Sequence, residues 1–100
     1  MNPRKGSTLG RGFVVRLRRV EIHSSALKHG MVPEDIEHAV RNSVAIDDLE
    51  DDLRLCLGPD RTGAVLEVIS VVGDEDTAEL VIHAMPMRDK YRRLLPGGPT

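Results

Sequence analysis

The stretch that most restricts this chain is residues 53–85, LRLCLGPDRTGAVLEVISVVGDEDTAELVIHAM. It divides into three apolar runs separated by two turn-forming clusters. In residues 53–57, Leu53, Leu55 and Leu57 alternate with Arg54 and Cys56, the period of two that marks a strand. Residues 58–63, GPDRTG, have the composition of a turn. Residues 64–72 are almost continuously apolar, which predicts a strand covered on both faces. Residues 73–77, GDEDT, make the second turn, and residues 79–85 the third strand. If both turns close symmetrically, Leu57 faces Ala64, Leu55 faces Leu66 and Val68 faces Ile82. That register sets Arg54, Glu67 and His83 in one row, and a slip of one residue would break it by moving side chains to the opposite face.

The flanks read as helices and ends. Residues 1–12, MNPRKGSTLGRG, carry too little apolar surface to order themselves and predict a flexible basic arm. Residues 13–22, FVVRLRRVEI, fit either a first strand or an extended lead-in. Ser24 and Ser25 are suited to cap a short helix that Gly30 ends. Pro33 opens a second helix, with Glu34, Asp35 and Glu37 in its first turn and Ile36, Ala39, Val40 and Val44 as its buried stripe. Pro86 opens a third, with Met87, Tyr91, Leu94 and Leu95 on one face and Arg88 and Arg92 on an exposed neighbouring stripe. The expected architecture is one α+β domain over residues 13–95. It has a small antiparallel sheet of three to four strands, two N-terminal helices and one C-terminal helix, with residues 96–100 a disordered tail.

A chain of 100 residues suits one domain, and such a domain can bury roughly two-thirds of its unfolded surface. Phe13 and Tyr91 are its only aromatic residues, so the core is aliphatic. Cys56 is the single cysteine, which offers no disulfide framework and fits a reducing compartment. With no apolar run near the roughly 18 residues of a membrane span and no signal peptide visible, the expected location is the cytoplasm, without membrane contact. The net charge of -2 is unevenly placed. Residues 1–20 hold six cations and no acid, residues 21–87 hold four cations and fifteen acids, and residues 88–93 hold four cations and Asp89. An acidic body with basic ends argues against general nucleic-acid coating and confines phosphate contact to local basic groups.

Motifs exclude more than they assign. The chain has no phosphate-cradling glycine loop, no CxxC pair, no HExxH and no GxSxG. His23, His29, His38 and His83 match no common zinc spacing. The acidic run DDLEDD at residues 47–52 lacks the spacing and glycine of a calcium loop and reads as a solvated connection. No cofactor or metal is expected. What is left is a set of cations and histidines: Lys28 and His29 after the first helix, Arg54 and His83 on strands, Arg61 in the first hairpin turn, and Arg88, Lys90 and Arg92 on the last helix. RNA cleavage without a metal needs a base for the 2′-hydroxyl, an acid for the leaving oxygen and cations for the phosphate. Histidine suits the proton steps and arginine the phosphate. Each residue also has a plainer reading. His83 suits a hydrogen-bonded core histidine, Arg54 a cross-strand partner of Glu67, His29 a helix C-terminus, Tyr91 the core, and Arg88 and Arg92 a solvated surface.

The order of Lys28-His29-Gly30-Met31, Pro33-Glu34-Asp35-Ile36, Arg54 four residues before Gly58, Gly63-Ala64-Val65-Leu66-Glu67-Val68, and Val81-Ile82-His83-Ala84-Met85 before a basic helix resembles the BrnT ribonuclease toxins. These are small RelE-like toxins of bacterial type II toxin–antitoxin systems. The resemblance covers about residues 23–93. It implies a RelE/BrnT-like α+β fold, metal-independent RNA cleavage and a cognate antitoxin carrying a DNA-binding domain. By position it places Lys28, His29, Arg54 and the last basic residues at or near an active face. His83-Ala84-Met85 stands where that family usually has Ser-Ala-Arg, and Asp89 is the loose counterpart of its final acidic residue.

The sequence reading is therefore a toxin-like endoribonuclease. Its catalytic residues are His83, Arg54 and Arg88, with Lys28 and His29 as second choices, and its RNA-binding residues are Arg61, Lys90 and Arg92. Its partners are RNA and the antitoxin, in a homodimer or a toxin–antitoxin hetero-oligomer. The rivals are a non-catalytic interaction or regulatory module on the same scaffold, and a dimeric domain sharing a sheet edge formed by residues 65–72.

Overall fold

A computed structural model describes residues 12–16, 20–73 and 79–97. All but the last residue of the expected arm over residues 1–12, and residues 98–100 of the expected tail, lie outside the described residues. Among the described residues there are six strands: β1 Val14–Arg16, β2 Val20–His23, β3 Ala45–Asp48, β4 Leu53–Pro59, β5 Val65–Val71 and β6 Glu79–Pro86. One α-helix, α1 Pro33–Arg41, lies between β2 and β3, and two 3-10 turns occupy Ser24–Leu27 and Asp89–Leu94. The strands form one sheet in the order β1-β2-β6-β5-β4-β3. Neighbours run antiparallel except β2 and β6, which are parallel.

The expected α+β class stands, but the small antiparallel sheet with three helices does not. The sheet is larger and mixed, and one α-helix with two 3-10 turns replaces the three helices. Residues 13–22 supply two strands, and the acidic stretch expected as a plain connection begins inside β3, to which it gives Asp47 and Asp48. That stretch then turns through Asp51 and Asp52, both with positive φ, a conformation that aspartate tolerates better than most residues. The first 3-10 turn is capped by His23, whose Nδ1 accepts the Ser25 amide at 3.0 Å. Ser24 and Ser25 hold other elements instead, through Phe13 N to Ser24 Oγ at 3.1 Å and Ser25 Oγ to the Ile82 carbonyl at 2.9 Å. The last helix fails to start at Pro86 because Met87 N donates to the Val65 carbonyl at 3.0 Å and keeps the chain extended.

The central meander runs over nearly the expected residues, with a different register. Leu57 faces Glu67, Leu55 faces Ile69 and Cys56 faces Val68. The loop between β4 and β5 closes about Thr62 rather than about the middle of GPDRTG, because β4 runs on to Pro59 and the remaining loop is organised by Asp60. Its amide donates to the Ala64 carbonyl at 2.8 Å, and its carboxylate accepts from Thr62 N and Ala64 N. The shift is odd in residues, so it moves Arg54 out of the expected row. β5 has strands on both sides, so residues 65–72 offer no shared edge.

One face of the sheet carries the core. Cys56, Val68 and Ala84 form a row across it, and Ile36 and Ala39 of α1 pack there with Val20, Ile22 and Ala26. The α1 stripe is Ile36 and Ala39, as its spacing predicts, while Val44 lies beyond the helix and is exposed. Helix and sheet approach so closely at Gly58 that any side chain there would meet the Ala39 carbonyl. The opposite face carries Leu55 and Leu57, also buried, beside a hollow of about 300 Å³ reaching Leu94 and Pro96.

Gly58→Ala therefore forces α1 off β4. Overpacking of this kind costs about 1–3 kcal/mol, and chemical denaturation is expected to show a midpoint lowered accordingly with an unchanged slope.

Candidate functional site

The second face bears one charged side chain with no exposure at all, Glu67. Its place there follows from alternation along β5, because Leu66 and Val68 turn to the core on either side. A buried carboxylate needs partners for both oxygens. Glu67 Oε1 accepts the Arg88 amide at 2.9 Å and Arg88 Nε at 3.1 Å. Oε2 accepts Arg88 Nη2 at 2.6 Å and His83 Nε2 at 2.9 Å. Burial works against the charge, but the Arg88 and His83 hydrogen bonds outweigh it and hold the carboxyl down at about 2.

His83 reaches Glu67 through a β-bulge. At the open end of the β5–β6 pair, Ser70 faces Val81 and Val71 faces Leu80; past the bulge, Ile69 faces His83 and Glu67 faces Met85. Without the extra residue, Ile82, His83 would oppose Val68 and point to the core face. The bulge turns it to the Glu67 side, a use of bulges common beside functional sites. Because an ionised carboxylate can only accept, His83 Nε2 carries the hydrogen and Nδ1 is left for other work.

His29 joins from the other side. β2 ends at His23, and the first 3-10 turn then runs along β6, anchored by the Ser25 bond to the Ile82 carbonyl. Gly30, at φ +87°, ends this segment, as the sequence predicts. The His29 ring meets the His83 ring edge to face, 5.6 Å between centroids and 77° between planes. Beyond Glu67, the Arg88 guanidinium lies 5.8 Å and Lys90 Nζ 5.1 Å from the centre of the Tyr91 ring. His29, His83, Arg88, Tyr91 and Lys90 thus form one strip, with exposed Lys28 beside His29 in the chain.

The other predicted residues lie elsewhere. Arg54 faces Ser70, three residues from Glu67 along β5, and so sits on the core side. It bonds Asp48 at 2.6 Å and Glu79 at 3.1 Å, contacts that raise its own pKa and lower that of Asp48. Arg61 is tied to Asp35 at 2.8 Å, linking the β4–β5 loop to α1 and lowering the Asp35 pKa. Arg92 pairs with Asp89 at 2.8 Å within the last turn. Among the described residues, no group of three or more His, Cys, Asp or Glu side chains could hold a metal ion. No described helix is long and apolar enough to cross a membrane.

Sequence reasoning set Glu67 beside His83 but cast it as a partner for Arg54, and it assigned Tyr91 to the core. The available signal was a single acid inside an otherwise apolar strand. No family model, curated protein or solved structure matches this chain.

A carboxyl held below its unfolded value adds stability that is complete above the unfolded value and lost as pH falls through the folded one. The Glu67 contribution is therefore present above about pH 4.5 and lost towards about pH 2. Glu67→Gln is expected to cost about 2–3 kcal/mol at neutral pH and to flatten the acid limb of the stability curve, as followed by circular dichroism.

Proposed function

We propose that this chain is a metal-independent endoribonuclease whose working surface is the strip from His29 to Lys90. The observation that carries the reading is the meeting of two histidine rings at 5.6 Å, one of them oriented by a buried carboxylate that also grips an arginine. A histidine held by a carboxylate at one nitrogen, with the other available, is arranged for proton transfer.

In this mechanism His83 Nδ1 takes the proton of a 2′-hydroxyl. The 2′-oxygen bonds to phosphorus, the bond to the 5′-oxygen breaks, and protonated His29 supplies that oxygen with its proton. The products are a 2′,3′-cyclic phosphate and a 5′-hydroxyl. Arg88, 46% of whose side chain remains exposed, balances charge on the phosphate, and Lys28 and Lys90 extend the basic path. Glu67 is a positioning residue that fixes the His83 tautomer. Arg54, Arg61 and Arg92 have no part in the chemistry.

The wider role expected from the resemblance, a toxin neutralised by a cognate antitoxin, is proposed with it. Its support is the KHG segment, which brings His29 to the strip. The six-stranded mixed sheet departs from the architecture that resemblance implied, so the chemistry rests on the site rather than on the fold.

Purified protein mixed with labelled RNA in EDTA is expected to leave cyclic phosphate ends. His83→Ala and His29→Ala should each slow cleavage by about 10²–10⁴-fold, while Arg54→Ala, assayed where it is folded, should cut like the parent. Cleavage surviving loss of both histidines would end the proposal. Absence of cleavage by the parent on free and ribosome-bound RNA would leave a binding module.

A further inference from the structure

The face that bears the strip also bears the hollow. The register sets Asp47, Leu55, Ile69 and His83 in one row from β3 to β6. Asp47 therefore lies about 14 Å from His83, three strand spacings of about 4.8 Å, with half-buried Ile69 between them. At the Asp47 end is the hollow of about 300 Å³, lined by Val44, Asp47, Leu55, Leu57, Leu94 and Pro96. One segment borders both places. Its Arg88, Lys90 and Tyr91 belong to the strip, and its Leu94 and Pro96 to the hollow. The lining is apolar except for Asp47, which suits a flat ring and not a phosphate. Asp48 is held by Arg54 on the other face. Asp47 is exposed, and its carboxylate has no partner among the described residues. Two acceptor oxygens stand ready at the rim of an apolar site.

We propose that the hollow is a base pocket for single-stranded RNA and that it takes guanine. Among the RNA bases only guanine presents two adjacent donors on its Watson–Crick edge, N1–H and the 2-amino group, and a carboxylate accepts both. Reading of that edge is how single-stranded RNA is recognised by sequence. The acid repels phosphate, so the backbone stays over Arg88 and Lys90 while the base turns in. The inference rests on the ribonuclease reading of the strip. It makes Asp47 a specificity residue with no part in the chemistry, and it puts the guanine at a fixed offset from the bond that is cut.

Short uridine strands carrying a single guanosine, inosine or adenosine test it. Their binding to the full chain with His83→Ala is read by fluorescence anisotropy, and their cleavage by the parent is mapped to the bond. Guanosine should bind best and set one cleavage position. Adenosine, which lacks both donors, should bind about 5- to 150-fold more weakly, and inosine, which lacks the 2-amino group, should fall between. Asp47→Asn replaces one acceptor by a donor and so matches the adenine edge. It should invert the order of guanosine and adenosine, a change that a merely structural residue would not produce. Equal binding of the three strands, or the parent's order kept in Asp47→Asn, overturns the proposal even where the parent cuts RNA. Guanosine preference that Asp47→Asn inverts, in a chain that cuts nothing, upholds the pocket and ends the ribonuclease reading instead. Binding of none of the strands overturns the pocket and leaves the hollow to an apolar protein partner.

Discussion

The buried carboxylate of Glu67 is the constraint on which the second face of this sheet depends. An ionised acid removed from water costs several kcal/mol unless its oxygens are fully bonded. Here five hydrogen bonds from two residues meet that demand, Arg88 Nε being shared between both oxygens. Each partner is positioned in consequence. His83 is brought round by a bulge, and the Arg88 amide is held so that the chain after β6 stays extended. Only beyond Arg88 can the backbone curl, which leaves room for no more than the short turn Asp89–Leu94 before Pro96.

The two faces of the sheet divide the work. The core side, closed by α1, is aliphatic and supplies most of the packing. Its charged groups sit at the margins, where Arg54 bonds to Asp48 and Glu79 and Arg61 bonds to Asp35. These pairs join α1 to the β4–β5 loop and β3 to β4, and exposed pairs of this kind contribute little each. The other side has Leu55 and Leu57 at one end and the histidine–glutamate–arginine strip at the other. His83 and its partner Glu67 stand on the central strands β6 and β5, which hold side chains more rigidly than loops do, whereas His29, Arg88, Lys90 and Tyr91 lie in the segments that flank those strands.

The central elements were legible from residue pattern, while the size and mixed pairing of the sheet were not. The period of two in LRLCL, the apolar run after GPDRTG and the Pro-Glu-Asp opening of α1 mark elements that form close to the predicted places. The site was half legible. His83 and Glu67 do meet, and His29 and Arg88 lie with them, but Arg54 was drawn into the row by an assumed symmetric turn. The turn centres on Thr62 instead of the middle of GPDRTG, and because side chains alternate, the resulting odd shift is enough to send Arg54 to the other face. The edge strands were less legible still. β3 is AIDD and β1 is VVR, and so short a run has no periodicity with which to declare itself.

By itself the sequence determined the local choices: where strands alternate, where proline opens a helix, where Gly30 and Gly63 allow a turn, and that a lone acid would sit in an apolar strand. These are decided within a few residues by backbone sterics and side-chain period. The tertiary structure alone decided the six-strand order, the parallel pairing of β2 with β6, and the bulge at Ile82 that turns His83 towards Glu67. Those are settled between segments far apart in the chain, where burial of one carboxylate and closure of one loop outweigh the preferences of the residues in between.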